Sequence, residues 1–528
     1  RAAFQPSGTV CGQDGRSRAP MDGFTASPGW LEGSPAATSK HRPKSDFSNT
    51  RLFEGNNSRQ DISQTEIDVY AITKAVKYSS ISLGDTGMTT TPLTREQLEA
   101  YWMPFTGNRQ FKRDPRMIVA AEGVHLIDDK GRKVLDGMSG LWCCGAGHNR
   151  KEITEAVHAQ MQVLDYAPAF QFGHPGAFEL ANRLKSLTPD GLDYVFFTNS
   201  GSECVDTALK MARAYWRQKG QPGKTKLIGR AKGYHGVNFG GISVGGISAN
   251  RKMFGEGVDA DHLPHTLMEG NAFSRGQPAN GWQLAERLKD IIDLHDASTI
   301  AAVIVEPMAG SAGVIPPPAG YLQRLRDICT ANNILLIFDE VITGLGRCGG
   351  MTGADVFGVV PDIMTLAKQL TNGAIPMGAV LAKSDIYQTF MDKGGPDYLL
   401  ELPHGYTYSG HPVACAAALA ALEILEREEL PQRVARMAPY FEDGLHQFKG
   451  LPHVSDIRNY GFAGAVQLEA YPGEPARRPF EVALRMWEKG FYVRYGGDVI
   501  ALGLPFVIET AQIDSLLSAL GETLVELA

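Results

Sequence analysis

Ile334-Leu-Leu-Ile-Phe-Asp339-Glu340-Val-Ile342-Thr-Gly344 decides how the rest of the chain is read. The apolar run Ile334 to Phe338 predicts a strand of a parallel sheet buried on both faces, with Asn333 before it and charge after it. Such a strand delivers Asp339 to its carboxyl end, where open α/β sheets bind their ligands. Further along, Met364-Thr-Leu-Ala-Lys368 is an apolar segment with one amine, between Pro361 and Asn372-Gly373. An amine in apolar surroundings loses proton affinity, which suits it to carbonyl chemistry. A fixed Asp and a desolvated Lys are what pyridoxal 5'-phosphate (PLP) requires: a partner for its pyridinium nitrogen and an amine for its aldehyde. Either residue alone reads more plainly as a surface lysine or a loop aspartate.

Outward from this strand the chain alternates. Helices are predicted over 151–164, 176–187, 202–217 and 319–332, and strands over 193–198, 225–230, 300–306, 363–367 and 378–382. This alternation implies a doubly wound, mostly parallel sheet covered on both faces. Before it, Thr94 to Trp102 predicts a short helix capped by Thr91 or Thr94, Met117 to Asp128 a hairpin, and Lys133 to Gly137 a continuation of that sheet. From about 411 the pattern changes to a long Ala-rich helix, a second helix, short strands near 455–468, 490–494 and 499–502, and a closing helix over 511–526. This is a smaller α+β domain. The expected division is 88–140 as an N-terminal segment contributing to the small domain, 141–405 as the large domain and 406–528 as the small one. Residues 1–87, rich in Ser, Asn, Gly and Thr without sustained periodicity, are expected to be a disordered extension, with native translation starting at Met88.

Composition narrows the function classes. Of 528 residues, 43% are hydrophobic and 21% charged, ordinary for a folded protein large enough for several domains. The net charge of -7 gives no basic surface for nucleic acid. No stretch is apolar for long enough to span a bilayer. Seven cysteines without C-x-x-C spacing predict reduced thiols in a cytoplasmic protein and no zinc site.

Three further stretches place chemistry at strand ends. Ser200-Gly201-Ser202-Glu203 closes a strand and opens a helix, so the Gly201 and Ser202 amides could hold an anion, although a Ser cap with Glu in the first turn is a common arrangement without any ligand. Tyr234-His235, in the Gly-bounded loop Lys232 to Gly236, could stack on a planar ring or simply cover the sheet edge. Glu306-Pro307 ends another strand in an acid. Against these stands Gly344-Leu-Gly346-Arg-Cys-Gly349, which matches G-x-G-x-x-G and hints at a dinucleotide-dependent dehydrogenase. Asp339 and Glu340 separate it from the strand, however, and neither a good helix start nor a ribose-binding acid follows.

Together, Ser200-Gly-Ser-Glu, Gly233-Tyr-His-Gly, Glu306-Pro, Asp339-Glu-Val-Ile-Thr-Gly, the Lys368 segment and Thr407-Tyr-Ser-Gly-His-Pro412 resemble class III PLP-dependent aminotransferases, in order and spacing from about Tyr101 to the end. The resemblance implies PLP fold type I and an active site at a homodimer interface, with pairing into tetramers left open. It implies Lys368 as the lysine that takes the aldehyde, Asp339 as the ring-nitrogen partner, Gly201 and Ser202 as the phosphate cup and Tyr234 as the stacking aromatic. Ile342 falls at a ring-packing position where many relatives carry Gln. Thr407 matches a residue that reaches the phosphate of the neighbouring subunit's cofactor. Within the family, Ser139 to Cys144 and Val493-Arg494-Tyr495 look most like ω-amino acid:pyruvate aminotransferases. That similarity implies Arg494 as the carboxylate-binding arginine and Trp142 and Phe105 as aromatic walls of the substrate pocket. Ser311 stands where ornithine- and γ-aminobutyrate-type members carry Glu. An aminomutase or a decarboxylating aminotransferase would share the same cofactor motifs.

Overall fold

In the computed structural model, residues 93–527 are described, and they fall within a unit spanning Thr90–Ala528. The expected extension 1–87 and the alternative cap Thr91 lie outside the described residues. Seven strands form the central sheet, in the order Tyr194–Thr198, Gly378–Ala382, Ile363–Leu366, Leu335–Asp339, Ile300–Val305, Lys226–Arg230, Ala260–Leu263. All adjacent pairs are parallel except those made by Gly378–Ala382, which runs antiparallel to both of its neighbours. Ile300–Val305 and Leu335–Asp339 are buried at every position. This is the reason they read as continuous apolar runs.

The edge strand Ala260–Leu263 was not expected from the sequence. Its Ala-Asp-His-Leu composition lacks an apolar run, because an edge strand has only one neighbour to satisfy. The predicted helices appear as Lys151–Val163, Pro175–Leu187, Gly201–Gln218 and Tyr321–Ala331. Pro175–Leu187 and Tyr321–Ala331 cover one apolar face, built around Val303, Phe338 and Leu381, and Gly201–Gln218 covers the other, around Ile304, Ile337 and Val380, whereas Lys151–Val163 packs through Ile153 into the C-terminal core. Alternate residues of each strand thus feed opposite cores.

A third core carries the C-terminal part. The hairpin Val454–Tyr460 and Ala463–Leu468 joins Val499–Gly503 and Arg494–Gly496 in a four-stranded antiparallel sheet. Helices Leu430–His446, Arg477–Glu488 and Thr510–Glu526 complete it, the middle one unanticipated. The N-terminal hairpin Ile118–Glu122 and His125–Asp128 and the strand Lys133–Asp136 form a further sheet closed by Phe491–Tyr492, which pairs in parallel with Lys133–Asp136. The short helix Arg95–Glu99 starts at Thr94 with a full capping box.

Helix Pro412–Arg427 joins the cores. Ala414, Ala418 and Leu422 pack into the large-sheet core, whereas Ala417, Ala421 and Ile424 pack into the C-terminal one. A helix buried on opposite faces cannot be amphipathic, and small side chains let it lie close to both neighbours.

Candidate active site

The parallel strands end along one edge, and a cavity of about 310 Å³ opens there. Its wall includes Ser200, Gly201, Ser202, Tyr234, His235, Glu306, Asp339, Ile342 and Lys368. Five separate stretches of sequence meet because each immediately follows a strand of the same sheet.

Asp339, the last residue of its strand, is buried. Its Oδ1 accepts from the Val341 N–H at 3.2 Å and the Thr365 hydroxyl at 3.3 Å, and its Oδ2 lies 2.8 Å from His235 Nδ1. Thr365 reaches it because the two strands pair in register, Asp339 opposite Thr365. Since a carboxylate only accepts, Nδ1 is assigned the proton. His235 is 1% exposed, and its Nε2 has no hydrogen-bond partner. Glu306 accepts from the Tyr234 N–H at 2.9 Å and the Gly310 N–H at 3.1 Å, which ties the Tyr234 loop to the next strand end. Burial pushes the Glu306 carboxyl up, Asp339 pushes in the same direction, and the His235 and Arg230 charges oppose.

Lys368 comes just after Ile363–Leu366, with the left-handed φ of +49°. A non-glycine residue held there is locally strained, a pattern that clusters at functional sites. Burial lowers its amine below the ordinary lysine value, and Arg494 adds to this, whereas Cys143, Asp339 and Glu306 pull it up.

At another part of the wall the helix Gly201–Gln218 begins. Ser200 is its cap, with Oγ accepting from the Glu203 N–H at 3.2 Å. The common arrangement weighed from the sequence is therefore present, but at Ser200, and the earlier N–H groups of Gly201 and Ser202 have no intrahelical acceptor. The Ser202 hydroxyl accepts from the Val237 N–H at 3.2 Å. Gly236 closes over it at φ +88°, and an added Cβ would lie 2.5 Å from Ser202 Oγ. A helix-end cradle, a buried acid and a desolvated amine around one cavity match the phosphate, ring nitrogen and aldehyde of PLP.

The remaining expected site residues lie elsewhere in the single chain. Trp142 is 4% exposed, packed with Met138, Ile342 and Val499 and under the Arg347 guanidinium, so it is core rather than cavity wall. Phe105 is 71% exposed and Thr407 is also exposed, and neither borders the cavity. Arg494, exposed on its short strand, does not line the cavity either. Its charge nevertheless acts on Lys368, Tyr234 and Tyr492. Ser311 is exposed.

Some contributors were not anticipated. Cys143 lines the wall, and His235 and Thr365 hold Asp339. The only signals in the sequence were the His beside Tyr234 and the register of two apolar strands. The Gly344–Gly349 loop does not build a dinucleotide site. A short helix, Gly353–Phe357, does follow, but Thr352 caps it, with the Glu340 carboxylate accepting from the Gly353 and Ala354 N–H groups at 2.6 Å.

The aminotransferase class-III family matches residues 107–524. The chain is 61% identical over 435 residues to the β-alanine–pyruvate aminotransferase of Pseudomonas aeruginosa, covering 82% of this chain and 97% of that protein. It is 60% identical over 433 residues to the ω-amino acid–pyruvate aminotransferase of Pseudomonas putida, covering 82% and 96%. Among solved structures, the ω-transaminase from Pseudomonas jessenii in complex with PMP superposes with a TM-score of 0.78 at 32% identity, covering 82% of this chain and 98% of that one. An (S)-enantioselective ω-transaminase from Thermomicrobium roseum gives 0.77 at 35% identity, covering 82% and 97%. A sheet edge that gathers an amine, a carboxylate and a helix N-terminus, together with these likenesses over four-fifths of its length, places the chain in the class-III aminotransferases, enzymes of PLP fold type I.

Proposed function

We propose that this aminotransferase moves an amino group from an ω-amino acid such as β-alanine, or from a simple amine, to pyruvate, giving alanine and a semialdehyde, aldehyde or ketone. The observation that carries the reading is Lys368 and Asp339 facing one cavity of a chain 61% identical to a β-alanine–pyruvate aminotransferase. PLP, when bound, supplies an aldehyde that takes up amino groups and a protonated ring that withdraws electrons from the carbon bearing them.

The chain's residues do the rest. Asp339, held by Val341, Thr365 and His235, keeps a proton on the ring nitrogen by its negative charge. Gly201 and Ser202 would hold the phosphate, Tyr234 would stack on the ring, and Ile342, which has no hydrogen-bonding group, would only pack against it. The Lys368 amine, neutral more often than a solvated lysine, would take the proton from the substrate carbon and return it to the carbon on the far side of the amino nitrogen. Arg494 pairs with the substrate carboxylate through its planar fork. With Ser311 where a Glu would neutralise it, Arg494 must swing aside for donors without a carboxylate.

Thr407 serves the neighbouring subunit's cofactor in a homodimer. Its exposure away from the chain's own cavity supports this, as do exposed Trp102, Phe172 and Tyr398 (88%, 70% and 84%). Trp142 acts at the substrate pocket from beneath, and Phe105, exposed away from the chain's own cavity, acts there as an aromatic wall across the dimer. Val124 and Leu135 pack into the C-terminal core, which supports 88–140 as a segment of the small domain, with 141–405 as the large domain and 406–528 as the rest of the small one. Among the described residues no helix is long and apolar enough to cross a membrane, and the cysteines are free. The free thiols are the feature that supports a cytoplasmic protein.

A donor panel with pyruvate and 2-oxoglutarate tests the reaction. Alanine should form from β-alanine and pyruvate, with parallel double-reciprocal lines and no carbon dioxide from the first step. A much better rate with 2-oxoglutarate would overturn the assignment.

A further inference from the structure

Arg347 belongs to the glycine-rich loop that the reaction leaves unexplained. It is 1% exposed, and among the described residues no carboxylate pairs with it. Asp136, whose charge reaches it, is already taken by His148 at 2.7 Å and by the N–H groups of Met138 and Gly140. The guanidinium instead donates to three other segments. Nη1 bonds the carbonyls of Phe462 and Leu504, and Nη2 the hydroxyl of Ser139 at 3.3 Å. Ser139 in turn donates to the Gly503 carbonyl at 2.6 Å. The Phe506 and Trp142 rings lie 4.6 and 5.5 Å from it, and Nε has no partner at all.

A buried cation without a counter-charge is expensive, and an apolar residue of similar volume often serves stability as well or better. A buried arginine at this position therefore calls for a role beyond holding the fold together. The geometry supplies one. Arg347 begins seven residues beyond Glu340 on the Asp339 strand's exit loop, and its backbone carbonyl also accepts from the Phe462 N–H at 3.1 Å. Its side chain grips Leu504 and, through Ser139, Gly503, the two residues that leave the strand Val499–Gly503. That strand pairs with Arg494–Gly496, with Arg494 opposite Ala501.

We infer that Arg347 is a positioning residue for substrate carboxylates: it fixes the strand pair that carries Arg494 relative to the loop that leaves the Asp339 strand. The inference rests on the reading of Arg494 above. It makes the distance from the reacting carbon to the carboxylate anchor a property of one buried guanidinium, and with it the preferred spacing between amine and carboxylate in the donor.

A double-mutant cycle tests it. Arg347→Met should raise KM for β-alanine about tenfold with kcat changed less than threefold, and Arg347→Lys, which keeps charge but not the fork, should fall between. Melting curves and cofactor content establish that each variant is folded, and the Lys variant carries the test if the Met variant does not fold. Arg494→Ala should by itself raise KM for β-alanine. In that background Arg347→Met should change KM less than twofold, since residues acting through one contact are not additive. A full additional tenfold loss, or a loss in kcat alone, overturns the inference while leaving the Arg494 reading intact. An Arg494→Ala variant with unchanged KM overturns the Arg494 reading and the inference with it.

Discussion

At the scale of single residues, the site is a competition between burial and partnership. Asp339 is held by three donors; Asp339→Asn should lower kcat by roughly 10²–10³, the range seen when one preorganised electrostatic partner is lost, and steady-state kinetics with excess PLP checks this. Lys368 is governed by desolvation. Its lowered proton affinity means that the neutral amine accumulates as pH rises through a value below 10.5. In cofactor-free protein, acylation of Lys368 followed by peptide mass analysis should show a midpoint below that of solvated lysines on the same chain. A midpoint at or above theirs would mean that the cavity does not exclude water from the amine.

At the scale of elements, the loops that follow the strands set the chemistry. Gly236→Ala would drive a methyl group into Ser202 at a left-handed φ, so PLP affinity should drop at least tenfold in equilibrium titration while the far-ultraviolet spectrum stays unchanged. Glu340 latches the loop over 340–354. Burial pushes its carboxyl up to about 7, against the pull of Thr343, Gly353 and Ala354. With the folded value above the unfolded one, the folded chain retains a proton that the unfolded chain releases. That contribution is complete below the unfolded value and disappears as pH rises through 7. Glu340→Gln leaves one buried N–H without an acceptor, a loss of about 1–3 kcal/mol. The stability gap between wild type and variant should narrow from pH 5 to pH 8 in denaturant titrations. The central elements were legible because apolar runs such as Ile334 to Phe338 have no solvent-facing side to disguise them. Helix Arg477–Glu488 was not, since its Arg-Arg-Pro start and exposed charges conceal the positions that pack inward.

For the whole molecule, legibility follows the distance between a residue and the sheet edge. Gly201, Ser202, Tyr234, Asp339, Ile342 and Lys368 meet at one cavity because each lies at or just beyond the end of a strand of one sheet, and for all but Ile342 the strand pattern points there without help from any resemblance. Trp142, Phe105, Thr407 and Arg494 depend on how remote segments or a second copy meet, which no local pattern encodes. Mixed dimers test the second copy. Lys368→Ala and Thr407→Glu subunits should each be nearly inactive alone. Refolded together, they should regain activity, because the hybrid contains one Lys368 site served by an intact Thr407. No recovery in a mixture shown by mass spectrometry to contain hybrids would exclude a shared site.

The reversed strand Gly378–Ala382 has a mechanical effect. Leu366, two residues before the lysine, pairs opposite Ala379, so the segment 367–377 leaves and re-enters the sheet at neighbouring points, like a stitch drawn tight at both ends. The nucleophilic amine is therefore tied at both ends to buried strands of the central sheet, so that swings of the carboxylate-binding arm can reshape the substrate's surroundings without displacing it.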